Sequence, residues 1–223
     1  MKLIEYDSRG AQVAGLAGEI AQGLRATLAA KGRATLSVPG GTSPGPVFDL
    51  LAQVYLDWSR VAIVLNDERW VGETSPRSNT RLLRQRLLVG RAAAAQLLPL
   101  YAPAPEPEAM LSALSQGIAP HLPLDVLMLG MGADMHTASL FPGADRLTEA
   151  LAADAPVLMA LRSEAAGEPR ITLTAPVLRA AGAVHILITG AEKRAAIERA
   201  AVLPADQAPI ALVLERARIH WAE

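Results

Sequence analysis

The sequence predicts an α/β fold: a mainly parallel, doubly wound sheet with helices on both faces, in a single domain spanning residues 1–223. Three observations carry this. Short runs of branched apolar residues alternate with segments whose apolar residues recur at helical spacing, the pattern of strand–helix units that build a parallel sheet. Glycine-rich and charged clusters stand directly after those runs, where ligands bind outside the carboxyl ends of parallel strands. Finally, 223 residues that are 51% hydrophobic and 19% charged suffice for one substantial core and fall short of two.

Ser8 is a helix N-cap, and Val13, Leu16, Ile20, Leu24 and Leu28 follow at helical spacing until Gly32 permits a left-handed stop. Residues 33–38 read as a strand, and the turn Pro39-Gly40-Gly41-Thr42-Ser43-Pro44 leads into a second helix through Leu50 and Val54. The branched apolar run at 61–65 suits a strand buried on both faces, and it ends in Asn66-Asp67-Glu68-Arg69. After a loop to Ser78-Asn79, Leu82, Leu83, Arg86 and Leu87 define a helix with a basic outer face.

Pro103, Pro105 and Pro107 mark a loop within the domain. A helix near 109–117 and a buried strand at 124–129 follow, and that strand runs into Gly130-Met131-Gly132-Ala133-Asp134-Met135-His136-Thr137. Residues 157–161 and 170–173 read as strands. A helix from Ala175, a strand at 184–189, a helix from Glu192 and a last strand at 210–214 complete the alternation.

The totals exclude several classes of function. Twenty-one Lys and Arg against 22 Asp and Glu leave a formal charge of -1, so there is no basic field for nucleic acid. Apolar stretches are short, and the opening MKLIEYDSRG has acidic residues where a secretory signal carries its apolar core, so we expect a cytoplasmic protein without a membrane partner. With no Cys, thiolate nucleophiles, disulfides and thiolate-bound metals are excluded. Nothing in the sequence specifies an oligomeric state.

Gly40-Gly41-Thr42-Ser43 lets backbone amides approach an anion ahead of a helix N-terminus, and fits a phosphate cradle or an ordinary strand-to-helix turn. Asp67, Glu68 and Arg69 fit either a charged surface loop or a site where carboxylates orient a hydroxyl or a catalytic group and Arg69 holds an oxyanion. His136, two residues after Asp134 in a glycine-rich turn, suits a general base. A structural His, a metal ligand and a base for a serine nucleophile are the other readings. For the metal, His121, His185 and His220 show no ligand spacing with His136. Arg170 and Lys193 are cations on later strand–helix units, free to converge on the same strand ends or to lie on the surface.

Val38 to Pro44, Asn66-Asp67-Glu68-Arg69-Trp70-Val71, Ser78-Asn79, the run from Gly130 through His136-Thr137-Ala138-Ser139-Leu140-Phe141-Pro142-Gly143, and Pro169-Arg170-Ile171-Thr172-Leu173-Thr174 together resemble 6-phosphogluconolactonases, in order over nearly the whole chain. The family is similar in fold to glucosamine-6-phosphate deaminases, which share the glycine turn, an Asp-Glu pair and an Asp-x-His turn but usually continue differently after the His. Met135 departs from the pattern, since the family commonly has Gly between Asp and His.

The resemblance implies a glucosamine-6-phosphate isomerase-like fold and hydrolysis of 6-phospho-D-glucono-1,5-lactone in the oxidative pentose phosphate pathway. It implies His136 as the catalytic group; chemically, its task is that of a base on water. It makes Thr42, Ser43, Arg170 and Lys193 candidates for the sugar phosphate, with Arg69 near the carboxylate-forming end or the phosphate. Asp67 and Asp134 are suited to orienting His136 or sugar hydroxyls. A phosphorylated sugar lactone is then the small-molecule partner, and no metal, nucleotide or flavin is required. A deaminase or isomerase of an amino-sugar phosphate and a silent sugar-phosphate sensor are the alternatives.

Overall fold

The computed structural model describes residues 1–164 and 166–223. Its strands are β1 (Lys2–Glu5), β2 (Ala34–Val38), β3 (Val61–Leu65), β4 (Asp67–Arg69), β5 (Gln96–Leu98), β6 (Val126–Gly130), β7 (Leu158–Leu161), β8 (Arg170–Leu173), β9 (Ala183–Thr189) and β10 (Ala217–Ala222). The helices are α1 (Arg9–Lys31), α2 (Gly45–Leu51), α3 (Asn79–Arg86), α4 (Leu111–Ile118), α5 (Leu147–Leu151), α6 (Ala175–Arg179), α7 (Ala191–Ala200) and α8 (Ala211–Leu214). No helix among the described residues is long and apolar enough to cross a membrane.

The main sheet runs β1-β10-β9-β6-β2-β3-β5, with every neighbouring pair parallel. Every residue of β2 and of β3 is buried, so both faces of the sheet are covered, as continuous apolar runs such as Val61-Ala62-Ile63-Val64-Leu65 require. Helix α1 forms as its caps dictate. Ser8 Oγ accepts from Ala11 N at 3.2 Å, Gly32 closes the helix in the left-handed region, and Leu16, Ile20 and Leu24 are buried where the helix packs on β2, β6, β9 and β10. Full burial of each such side chain contributes about 1.5–3 kcal/mol.

After β2 the chain builds outward through β3 and β5, then crosses to β6 and on to β9 and β10. The order reverses between β2 and β6, and a parallel sheet opens a crevice at that point. Asn66 fastens the strand ends there: it accepts from Ser37 Oγ at 2.7 Å and donates to Met128 O at 2.8 Å, linking the ends of β2, β3 and β6. A second, antiparallel sheet of order β4-β8-β7 stands beside the crevice.

The structure corrects several expectations. Residues 157–161 and 170–173 contain strands, β7 and β8, but these belong to the antiparallel sheet. The expected last strand at 210–214 is instead α8, and β10 follows it. Five consecutive apolar residues have no period that separates a strand from one helical turn, whereas β10 carries Arg218 and His220 and so reads as polar. His220 is fully buried all the same. Helix α2 stops at Leu51, short of Val54; β4 and β5 have three residues each, too few to announce themselves, and β1 begins and ends on the charged Lys2 and Glu5.

Candidate active site

A cleft of about 410 Å³ opens at the crevice, walled by the turns after β2 and β6, by the small sheet and by the first turn of α7. Gly40, Gly41, Thr42 and Ser43 form one wall. A Cβ on Gly40 would stand 1.9 Å from Asn79 Oδ1, so only glycine lets the Asn79 amide pack here, where its Nδ2 donates to Asp67 O at 3.0 Å. Helix α2 adds little to this wall: Pro44 and Pro46 lack an N–H, and Gly45 N turns back onto Thr42 O at 3.4 Å.

The turn after β6 presents His136. Gly132 N donates to His136 O at 3.1 Å and Met135 N to Gly132 O at 3.0 Å, closing a tight loop in which Met135 has φ 66°. This is the left-handed region, which favours glycine over a side chain such as that of Met135. Gly132 is held by a close approach: a Cβ there would meet His136 Nδ1 and Asp134 Oδ1 at 2.3 Å.

Asp134 Oδ1 accepts from His136 N at 3.2 Å and lies 2.5 Å from His136 Nδ1. The Phe141 ring packs on the imidazole, with centroids 4.1 Å apart. His136 lines the cleft, and Asp134 stands outside the wall and bonds the ring.

The triplet Asp67-Glu68-Arg69 is a strand, and strand alternation divides it. Asp67 and Arg69 line the cleft. Glu68 instead closes the N-terminus of α3, accepting from Asn79 N at 2.8 Å, Thr80 N at 2.7 Å and Thr80 Oγ1 at 2.8 Å. Burial pushes its carboxyl up, against the pull of these donors.

Arg69 sits directly opposite Arg170 in the β4–β8 pairing. Like charges placed so repel. Asp67 offsets this, with Oδ2 3.7 Å from Arg170 Nη1. Burial lowers the pKa of Arg170, Asp67 raises it and Arg69 lowers it further. Both Arg69 Nε and Arg170 Nε are buried without a hydrogen-bond partner among the described residues. Asp67 Oδ2 also accepts from Ser139 Oγ at 2.5 Å, and Ser139 N donates to Thr172 Oγ1 at 3.2 Å, so this carboxylate ties the segment after His136 to the small sheet.

The structure thus brings Gly40, Gly41, Thr42, Ser43, Asp67, Arg69, His136, Arg170 and Lys193 to one cleft, with Asp134 bonded to His136. Reading the sequence residue by residue missed Asn79, Ser139 and Phe141. Their signal lay inside the motifs quoted for the resemblance, without a role attached.

The family model described as glucosamine-6-phosphate isomerases/6-phosphogluconolactonase matches residues 7–221. A 6-phosphogluconolactonase of Rhizobium meliloti (strain 1021) is 41% identical over 226 residues, covering 97% of each chain. One from Mesorhizobium japonicum is 41% identical over 215 residues, covering 93% of this chain and 89% of its own. The crystal structure of a 6-phosphogluconolactonase from Shewanella baltica OS155 superposes with a TM-score of 0.95 at 31% identity, over 100% of this chain and 98% of that one.

Proposed function

Since the chain belongs to the glucosamine-6-phosphate isomerase/6-phosphogluconolactonase family, we propose that its cleft hydrolyses 6-phospho-D-glucono-1,5-lactone to 6-phosphogluconate, with His136 as general base. The reaction is the lactone-opening step of the oxidative pentose phosphate pathway. The observation that carries the assignment of His136 is its pairing with Asp134 on the wall of a cleft that also collects Arg69, Arg170 and Lys193.

With Nδ1–H donated to Asp134, the neutral imidazole keeps its lone pair on Nε2. Nε2 takes a proton from a water as that water's oxygen bonds to the lactone carbonyl carbon. Negative charge develops on the carbonyl oxygen, where turn amides are suited to receive it. The intermediate collapses by breaking the bond from that carbon to the ring oxygen, and the imidazolium returns its proton to the ring oxygen as it leaves. No bond to the enzyme forms.

Arg69 and Arg170, with Nε atoms buried and unpartnered among the described residues, suit the anionic groups of the substrate, and Lys193, Thr42 and Ser43 complete the phosphate set. The test is to generate the lactone in the cuvette from glucose 6-phosphate with its dehydrogenase and follow its disappearance against spontaneous hydrolysis. A rate well above background is expected. A rate equal to background, with ammonia released from glucosamine 6-phosphate, would assign the cleft to deamination instead.

A further inference from the structure

Away from the cleft, Glu19, His185 and His220 converge from three elements. His185 and Arg218 are register partners in the β9–β10 pairing, as are Leu187 and His220. Strand alternation therefore turns both imidazoles toward one face, and Glu19 of α1 meets them there. His185 Nδ1 lies 3.1 Å from His220 Nε2, and Glu19 Oε2 lies 3.7 Å from the first and 3.9 Å from the second.

Three atoms at these separations fall on a circle of radius about 2.1 Å, so an ion raised roughly 0.7 Å from their plane, as tetrahedral coordination requires, would stand about 2.2 Å from each, within about 0.2 Å of Zn–N and Zn–O bond lengths. From these distances we propose that Glu19, His185 and His220 form a binding site for a divalent metal ion of the zinc class, structural in role and separate from the cleft.

The donor set is two imidazoles and one carboxylate, which suits Zn²⁺ with its fourth position left to water. The outer partner is in place as well: Tyr6 OH lies 2.8 Å from His220 Nδ1, holding the ring with Nε2 on the side of His185 and Glu19. His185 Nδ1 and His220 Nε2 share one N–H across their 3.1 Å contact, and a bound ion would take that proton's place between the two rings.

An entry path exists on the Glu19 side, where that side chain is 26% exposed. Arg218 Nη1, 2.8 Å from Glu19 Oε2, competes for the carboxylate, and its side chain is 52% exposed and free to swing into solvent. A bound ion would fasten α1 to β9 and β10. None of the three ligands lines the catalytic cleft.

The test is to titrate metal-free protein with Co²⁺, then Zn²⁺, reading visible d–d absorption and thermal unfolding. One equivalent of Co²⁺ is expected to give the intense bands of a four-coordinate site, displaced by Zn²⁺, and either ion is expected to raise the Tm. Glu19→Gln and His185→Gln should abolish both signals, and Glu19→Gln, at the exposed edge, keeps the test open if the buried variant does not fold. His136→Asn should leave both signals intact. Absence of bands and of a Tm shift at millimolar metal would overturn the proposal. So would signals that survive Glu19→Gln, or that are lost in His136→Asn.

Discussion

Asp134 Oδ1 stands 2.5 Å from His136 Nδ1, which leaves Nε2 as the imidazole nitrogen open to substrate and water. The carboxylate selects the tautomer and holds the orientation of the ring. In Asp134→Asn an amide replaces that partner and can present its NH₂ to the ring as readily as its oxygen. We expect kcat to fall roughly 10- to 100-fold, part of the 10²–10⁴ that general acid–base catalysis contributes, with KM little changed. Steady-state kinetics on the generated lactone read this split, and an unchanged kcat would remove Asp134 from the mechanism.

Arg170 faces Arg69 across two strands with its Nε unpartnered among the described residues, an arrangement suited to a shared anion. Lys cannot reproduce the planar fork of Arg. For Arg170→Lys we expect KM to rise on the order of 10-fold or more with a smaller effect on kcat, and inorganic phosphate to compete less well than against the wild type. Inhibition by phosphate that is identical in the two proteins would place the phosphate elsewhere.

Ala138 has φ 50° and Met135 φ 66°, conformations that cost an L residue roughly 1–2 kcal/mol relative to glycine. Ala138→Gly should therefore raise the unfolding free energy by about 1 kcal/mol, part of the relief being lost to the freer unfolded chain. Met135→Gly should be close to neutral, because the half-buried Met135 side chain packs on the core. Urea midpoints check both values, and a destabilised Ala138→Gly would show that the loop is not strained there.

His220 is fully buried, with its pKa depressed to about 4 by burial and then by His185, while Glu19 pulls the other way and Arg218 adds to the depression. His185 is shifted in the same direction, chiefly by burial. Because the unfolded chain binds these protons near pH 6.5 and the native state does not, stability is full above that pH. It is lost as pH falls toward 4, by up to roughly 3 kcal/mol for His220. Denaturant unfolding of Glu68→Gln, which removes the buried carboxyl that would titrate with the opposite sign, should show the loss between about pH 6.5 and 5 with chelator present. A flat profile there would contradict it.

The fold was legible where one local rule sufficed. Ser8 and Gly32 bound α1, and the apolar runs of β2, β3, β6 and β9 stand between turn signals, so the parallel sheet and the strand ends that hold the cleft follow from the sequence. Features set by long-range pairing were not legible. That Asp67 and Arg69 face the cleft while Glu68 caps α3 depends on β4 pairing with β8, a partner about a hundred residues away. The juxtaposition of His185 and His220 likewise requires β10, whose buried His220 disguised the strand. His136 itself was found because its turn is a contiguous motif, and its geometry rests on the short contacts among Gly132, Asp134 and His136.

The most direct test of the central claim is the rate of lactone disappearance catalysed by His136→Asn, measured beside the wild type and the uncatalysed reaction at equal concentrations of folded protein. We predict fast hydrolysis by the wild type and a loss of about 10²–10⁴-fold in the variant, the contribution of a positioned general base. Turnover by folded His136→Asn at the wild-type rate would contradict the assignment of His136 as the base.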